Sequence, residues 1–363
     1  MDFGLIFLGA NAKPWLVPAS RHLETMLDQV VLAEELGFDH VWTAGHPDTD
    51  MYYPAQFPLL AAMAARTRRI RLGTYIVALP LFHPLQVAEE AVTIDALSDG
   101  RFDLGLGIGN FVKDYEIYGV PKRERGARME EQLSIITGLW TKENFSFEGK
   151  YYKIPPMTLR PRPVQERVPL WVAATVPKAF DRAARFGAHL AGTGTGFEYY
   201  EERLRHHGHD PKDFYKGTLR QYHLAETREE AWRAAAPGIH HFLEYYTARF
   251  SEHEDLAGLK EALGGTFFGV DPLPPPEALH EVENLNFLGS PIVVGTAEDA
   301  IADVENSRKA GVTHKVIQMD ITGMDPRLVS RSMRIFARDV IPHFKRNPRG
   351  ALPPATHAET EKR

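Results

Sequence analysis

Residues 20–43 read SRHLETMLDQVVLAEELGFDHVWT, and this stretch contains the structural unit that the rest of the chain repeats. Its apolar residues recur at the spacing of one helix face, which predicts an amphipathic helix over Ser20–Leu36. Gly37 stands where that helix ends, because glycine adopts the left-handed conformation that closes many helices. The apolar run Phe38–Thr43 then predicts a buried strand. The stretch is therefore one helix followed by one strand.

The same alternation of strand and helix runs along the chain. The predicted strands are Phe3–Leu8, Phe38–Thr43, Ile70–Leu79, Phe102–Ile108, Val168–Ala174, Ala188–Ala191, Leu219–Ala225 and Val316–Met319. Parallel strands need cover on both faces, and a closed ring of strands leaves no edge exposed. Eight alternations therefore favour an α/β fold of the (β/α)8 TIM barrel type, with a doubly wound sheet as the alternative.

One long segment departs from the alternation. Residues 252–290 include the proline-rich run Asp271–Pro276, and an insertion of this length in a compact fold is typical of a lid or a substrate wall. We expect it near the C-terminal mouth of the barrel. Residues 346–363 are charged and lack aromatic side chains, which is typical of a flexible tail. The predicted organisation is a single barrel domain over 1–345 followed by that tail.

The composition excludes several classes of function. The chain has 363 residues and no cysteine, so disulfides, cysteine-ligated zinc, iron–sulfur clusters and thiol nucleophiles are excluded. A net charge of -6 and a pI of about 6.3 argue against a nucleic-acid or anionic membrane partner. No apolar run reaches about 18 residues, and the N-terminal residues lack the features of a signal peptide. We expect a cytoplasmic protein that acts on a small molecule.

His46 is the clearest candidate for catalysis. In a barrel of this type, catalytic groups lie on the loops that follow the strands, and His46 follows the second predicted strand. An imidazole there can act near neutral pH as a base, an acid or a hydrogen-bond donor. A surface histidine without function is the alternative, since the chain has 16 histidines. The run His206–His209 lacks an acidic partner in ligand register, so it predicts a polar loop and no metal site.

Glycines and cations near the strand ends indicate a ligand that carries a phosphate. The run Gly105–Asn110 lacks the full dinucleotide-binding fingerprint. Its glycines are better explained by the close approach of a planar ligand or a phosphate to the backbone. Arg125 and the helix start at Thr175–Lys178 offer a cation and free amide groups to a phosphate. Phe111 and Tyr245 are candidates to line an apolar pocket, although simple core packing explains them equally well.

Several short segments, taken in order, carry a resemblance to a known family. They are residues 37–42 (GFDHVW), 71–74 (RLGT), 79–80 (LP), 83–84 (HP), 97–102 (LSDGRF), 294–298 (VGTAE) and 336–342 (FARDVIP). Together they resemble the luciferase-like flavin-dependent oxidoreductase superfamily, from Phe3 to about Phe344. The overall pattern is more similar to the luciferase and alkanal monooxygenase branch than to the deazaflavin enzymes.

The resemblance implies a cofactor site at the C-terminal mouth of the barrel. It implies reduced FMN, or a deazaflavin in some branches, with a cis peptide bond that does not involve proline behind the flavin ring. His46 matches the catalytic histidine of bacterial luciferase, although the acidic residue that precedes that histidine there is Gly45 here. A hydroxyl common in the family is missing at Val176, which leaves the backbone amide. The implied cofactor-binding residues are Tyr75, Ile76, Gly107, Gly109, Asn110, Arg125, Ala174, Thr175 and Val176.

The function that the resemblance implies is a two-component flavin monooxygenase. A separate flavin reductase would supply reduced FMN, and a flavin hydroperoxide formed with O2 would oxygenate a small organic substrate. Two alternatives stay open, namely a deazaflavin-dependent oxidoreductase that transfers hydride without oxygen and a flavin-binding protein without catalysis. The resemblance also implies a homodimer.

Overall fold

Eight parallel strands close into a barrel in the computed structural model, which describes residues 1–192, 194–251 and 265–345. The barrel strands, numbered here in chain order, are β1 (Asp2–Phe7), β2 (His40–Thr43), β3 (Arg71–Thr74), β4 (Phe102–Gly107), β5 (Leu170–Ala173), β6 (His189–Gly192), β7 (Lys216–Leu224) and β8 (His314–Gln318). Each strand pairs with its sequence neighbours, and β8 pairs with both β7 and β1. The predicted (β/α)8 barrel is confirmed, and the doubly wound sheet is excluded.

Helices cover the outside of this barrel. They are α1 (Ala19–Glu35), α2 (Gln56–Arg66), α3 (Pro84–Leu97), α4 (Val112–Ile117), α5 (Arg125–Thr141), α6 (Pro177–Arg185), α7 (Phe197–His206), α8 (Arg228–Ser251), α9 (Ala297–Lys309), α10 (Pro326–Ile335) and α11 (Ile341–Phe344). Gly37 follows α1 with a φ of 81°, as the sequence predicted for a residue that closes a helix. No helix among the described residues is long and apolar enough to cross a membrane.

The centre of the barrel is filled by Trp42, which points inward from β2. It is fully buried and packs edge-on against Trp171, with ring centroids 5.1 Å apart. Glycines on the two neighbouring strands make room for it, because a Cβ at Gly4 would lie 2.5 Å from its Nε1 and one at Gly73 would lie 2.3 Å from its ring. The barrel interior is therefore a packed core and not a channel.

Below Trp42, at the N-terminal ends of the strands, three side chains form what we call the floor cluster: His40, Arg71 and Asp103. Asp103 Oδ2 accepts a hydrogen bond from Arg71 Nε at 2.7 Å, and His40 Nε2 lies 3.5 Å from the same oxygen. Burial alone raises the pKa of Asp103, but the charges and hydrogen bonds of Arg71 and His40 outweigh it and lower that pKa well below its usual range. The floor cluster is a buried, compensated ion network.

The structure corrects the sequence prediction at four places. The predicted strand Ile70–Leu79 is interrupted after Thr74, because a cis peptide bond joins Tyr75 and Ile76 before Val77 pairs with β4. The segment after β4, which the sequence did not predict to open a helix, forms the short helix α4. His206 ends helix α7 and does not lie in a loop. A short strand, Val293–Gly295, extends the sheet beside the second half of β7.

The predicted insertion is described only from residue 265 onward. Its described part contains a single 3-10 turn, Pro276–Glu281, and a two-stranded hairpin formed by Asn286–Phe287 and Ser290–Pro291. Residues 252–264 and the predicted tail 346–363 lie outside the described residues, so the domain boundaries stay a prediction.

Candidate active site

A histidine and a carboxylate meet at the C-terminal mouth of the barrel. His46 lies on the loop after β2, and Asp114 lies on α4, which follows β4. His46 Nδ1 is 2.6 Å from Asp114 Oδ2, which is the distance of a strong charge-assisted hydrogen bond. The Asp114 side chain is 4% exposed and that of His46 is 20% exposed. The pair is therefore enclosed on the carboxylate side and accessible on the imidazole side.

Arg249 completes the group from helix α8. Its Nη2 donates to Asp114 Oδ1 at 3.1 Å, and its Nε donates to the Tyr245 hydroxyl at 3.2 Å. The guanidinium also lies over the ring of Phe111, 4.8 Å from the centroid. We call His46, Asp114 and Arg249 the mouth cluster. The arginine gives the buried carboxylate the positive partner that burial of a charge requires.

Aromatic rings surround the mouth cluster. The His46 ring lies 4.9 Å from Phe111 and 4.7 Å from Tyr52, centroid to centroid. The Tyr52 hydroxyl is hydrogen-bonded to that of Tyr246 on α8, and burial raises the pKa of Tyr52 above its usual value. Phe287, from the predicted insertion, packs 4.5 Å from Tyr246. The described part of the insertion therefore contributes to the aromatic wall beside His46, where the sequence placed it.

A second carboxyl group lies at the same end of the barrel. Asp320 follows β8, and its Oδ2 accepts a hydrogen bond from the backbone N–H of Leu8 at 3.0 Å. Its Oδ1 is buried without a hydrogen-bond partner among the described residues. Burial raises the pKa of Asp320 to about 7, because the backbone N–H groups of Leu8, Gly9 and Asp320 itself lower it by less than the lost hydration raises it.

The ends of β3, β4 and β5 form an uncharged surface beside the mouth. A Cβ at Gly107 would lie 2.8 Å from Ile76 Cδ1 and 3.2 Å from Ala173 Cβ, so only glycine fits between these two side chains. Gly109 has a φ of 68°, in the left-handed region that favours glycine, and Asn110 is exposed. The cis peptide bond lies where the resemblance implied, between Tyr75 and Ile76.

Tyr75 itself points away from the mouth. Its ring packs 5.5 Å from that of Trp42, and its buried hydroxyl has no hydrogen-bond partner among the described residues. Only its backbone is therefore available to a ligand that rests on the surface formed by Ile76 and Gly107.

The predicted phosphate-binding residues lie at two helix starts. Arg125 is the first residue of α5; its Nη1 donates to the Lys122 carbonyl at 3.0 Å, while its Nε is buried without a partner among the described residues. Ala174 is buried at the end of β5, and Thr175 and Val176 are exposed just before α6. The two helices are neighbours, because a Cβ at Gly126 would lie 3.6 Å from Arg182 Nη2 on α6.

The described residues contain no group of three or more histidine, aspartate or glutamate side chains placed to hold a metal ion. Within the predicted polar run, His207 Nε2 lies 3.0 Å from Asp181 Oδ1. That contact joins α7 to α6 and is a structural one.

The sequence analysis identified His46, Phe111 and Tyr245, which the structure brings together, but missed their polar partners. Asp114 was missed because its helix was not predicted. Arg249 follows Tyr245 by one turn of α8, and that spacing was the available signal. Asp320 directly follows the eighth predicted strand, so the rule that located His46 also applied to it.

Comparisons with known proteins identify similar sequences over most of the chain. A family model described as luciferase-like monooxygenase matches residues 1–314. The oxygenase component of flavin-dependent trigonelline monooxygenase from Acinetobacter baylyi is 28% identical over 334 residues, which covers 88% of this chain and 89% of that protein.

A second relative has a different cofactor in its name. The F420-dependent glucose-6-phosphate dehydrogenase from Beutenbergia cavernae is 37% identical over 188 residues, but this covers only 49% of this chain and 55% of that protein. Among solved structures, monooxygenase RslO1 from Streptomyces bottropensis has a TM-score of 0.78 at 26% identity and covers 95% of this chain and 100% of that one. These relatives are monooxygenases and a dehydrogenase, and all are oxidoreductases.

Proposed function

Since the chain belongs to the luciferase-like monooxygenase family, a family of oxidoreductases, we propose that it is a flavin-dependent monooxygenase. It uses reduced FMN and O2 to oxygenate a small organic substrate, and a separate flavin reductase supplies the reduced FMN. The relative that aligns over nearly its whole length is the oxygenase component of a flavin-dependent monooxygenase, which supports this choice.

The observation that carries the proposal is the position of His46 beside the uncharged strand ends. The backbone connects the two features, because the Tyr75 N–H, next to Ile76, donates to the carbonyl of Thr43, three residues before His46, at 2.8 Å. A group able to exchange protons therefore borders a surface able to hold a flat ring.

The residues present fit a flavin phosphate. The flat ring would rest on Ile76, Gly107 and Ala174, where added Cβ volume at Gly107 has no room. Its phosphate would accept hydrogen bonds from Arg125, whose Nε is otherwise without a partner among the described residues, and from backbone amides at Thr175 and Val176. Gly109 and Asn110 would border the same ligand.

When bound, reduced flavin supplies the two electrons that activate O2. The chain contributes a proton donor or acceptor at His46 Nε2, because Nδ1 is engaged by Asp114. Phe111 and Tyr245, with the aromatic wall behind them, exclude water from the reacting centre. The single exposed face of His46 is the point at which a substrate meets the chain.

An anaerobic titration tests the choice of cofactor. Purified protein is titrated with reduced FMN and, in parallel, with reduced F420, and O2 is then admitted with candidate substrates present. We expect binding of FMN in preference to F420, followed by incorporation of oxygen into a product. Binding of F420 alone, with hydride transfer and no oxygen use, would contradict the proposal.

The phosphate site gives a matched pair of variants. We expect Arg125→Ala to weaken binding of reduced FMN by about 10- to 100-fold, the usual scale for losing hydrogen bonds to a charged group. Arg123→Ala removes an exposed arginine of the same turn and serves as the control. Riboflavin lacks the phosphate, so its affinity is expected to be equal in both variants. Equal weakening of riboflavin and FMN would contradict the assignment of Arg125.

Two further candidates correspond to the alternatives from the sequence. Hydride transfer with a deazaflavin is favoured by the identity to an F420-dependent dehydrogenase over about half of the chain. Flavin binding without catalysis would give FMN affinity with no product. A homodimer is proposed from the family resemblance, and light scattering of the purified protein tests it.

A further inference from the structure

The contact between His46 and Asp114 fixes where the imidazole hydrogen lies. A carboxylate can only accept hydrogen bonds, so at 2.6 Å from Asp114 Oδ2 the neutral His46 ring must carry its hydrogen on Nδ1. Its Nε2 is then a lone-pair acceptor, and the hydrogen bond of the ring within the described parts of the chain is made by Nδ1. The tautomer of the ring is set by the residue behind it.

Asp114 is itself held from a third element. Arg249 Nη2 occupies its other oxygen at 3.1 Å, and the Arg249 side chain is only 7% exposed. Phe111 contacts both outer members of the group, since its ring lies 4.9 Å from the His46 ring and 4.8 Å from the Arg249 guanidinium. Rotation of His46 would therefore break contacts to α4 and leave a buried carboxylate with an open lone pair.

In this arrangement a carboxylate orients an imidazole that can act as an acid or a base. A carboxylate behind an imidazole selects the tautomer and stabilises the protonated ring, and its replacement by an amide can invert the tautomer. A purely structural contact between the β2 loop and α4 would contribute to stability alone.

We propose that Asp114 is a positioning residue for His46, that it directs His46 Nε2 toward the reacting centre, and that Arg249 keeps Asp114 in place. The role of His46 in turnover rests on the proposed function. The orientation of the His46 ring by Asp114 does not depend on it.

The test combines nitrogen NMR with turnover. Imidazole 15N shifts and couplings report which ring nitrogen carries hydrogen, and His46→Gln assigns the signal by its disappearance. In wild-type protein we expect hydrogen on Nδ1. In Asp114→Asn the amide can donate to Nδ1, so we expect hydrogen on Nε2 and a loss of turnover of about 10²-fold or more, with reduced FMN affinity within a factor of about 2.

Two further variants keep the test decisive. Asp114→Glu retains a carboxylate, so we expect hydrogen on Nδ1 and partial recovery of turnover even if Asp114→Asn folds poorly. Asp48→Asn removes a different carboxylate near the mouth, one that pairs with Lys113, and is expected to change neither the tautomer nor turnover.

An unchanged tautomer in Asp114→Asn, or an inverted tautomer with full turnover, would overturn the proposal. Failure of the wild-type protein to bind reduced flavin would contradict the proposed function instead. In that case the NMR signal of His46 still supports or overturns the positioning by Asp114.

Discussion

The floor cluster and the mouth cluster contain the same three residue types at opposite ends of one barrel. In both clusters, a carboxylate accepts a hydrogen bond from an arginine and contacts a histidine. The floor histidine, His40, is 4% exposed and stacks on Trp42 at 5.2 Å between centroids. The mouth histidine, His46, is 20% exposed and lies on a loop. The two clusters share their residue types and differ in their surroundings.

The difference shows that place in the fold, more than residue type, decides what such a cluster does. The floor side chains project from the strands themselves, so backbone register holds them under Trp42, at the N-terminal ends of the strands. The mouth side chains come from a loop and two helices at the C-terminal ends of the strands, where barrels of this type place their reacting groups. We therefore assign stability to the floor and chemistry to the mouth.

The strongest test of this division removes the floor carboxylate. Asp103→Asn leaves Arg71 without its charge partner inside the barrel, so we expect the free energy of unfolding to fall by about 3 kcal/mol, the scale of breaking a buried ion pair. Urea unfolding measures it. Asp28→Asn breaks an exposed pair with Arg66 and is expected to cost less than about 1 kcal/mol. Equal losses in the two variants would contradict a stabilising role for the floor.

The sequence predicted the barrel and His46 for the same reason. Regular alternation specifies the strands, and a loop position after a strand specifies which end of the barrel a residue occupies. Asp114 and Arg249 lie 135 positions apart, and their contact depends on how α8 crosses the mouth. Likewise, the inward direction of Tyr75 depends on the backbone at Ile76. Neither follows from local pattern.

A histidine at the N-terminal end of β6, His189, predicts how stability depends on pH. Burial lowers the pKa of His189, which packs 4.9 Å from Trp171, to about 4. Below pH 6.5 the unfolded chain binds a proton at this residue while the folded chain does not, so acid favours unfolding. From pH 7 to pH 5 we expect wild-type stability to fall by about 2 kcal/mol relative to His189→Gln. A difference that is constant with pH would show that His189 is not buried as described.

At the mouth of the barrel, Asp320 predicts a pH dependence of stability with the opposite sign. The pKa of Asp320 is raised to about 7, so between about pH 4 and pH 7 the folded chain holds a proton that the unfolded chain releases. Stability is therefore lost as the pH rises toward 7. Relative to wild type, Asp320→Asn is expected to gain about 1–2 kcal/mol between pH 5.5 and pH 7 by urea unfolding. An advantage of Asp320→Asn over wild type that grew as the pH fell from 7 to 5.5 would contradict the enclosed carboxyl group.

The most direct test of the account is His46→Ala, measured for both stability and turnover. Reduced FMN is supplied by an added reductase, with any substrate that the wild-type protein oxygenates. Removal of the imidazole leaves Asp114 Oδ2 without this partner, so the free energy of unfolding is expected to fall by about 1–3 kcal/mol. Turnover is expected to fall by about 10²- to 10⁴-fold, the contribution typical of a positioned acid or base. Unchanged turnover, or a loss of turnover that only follows a loss of folded protein, would contradict the assignment of chemistry to the mouth.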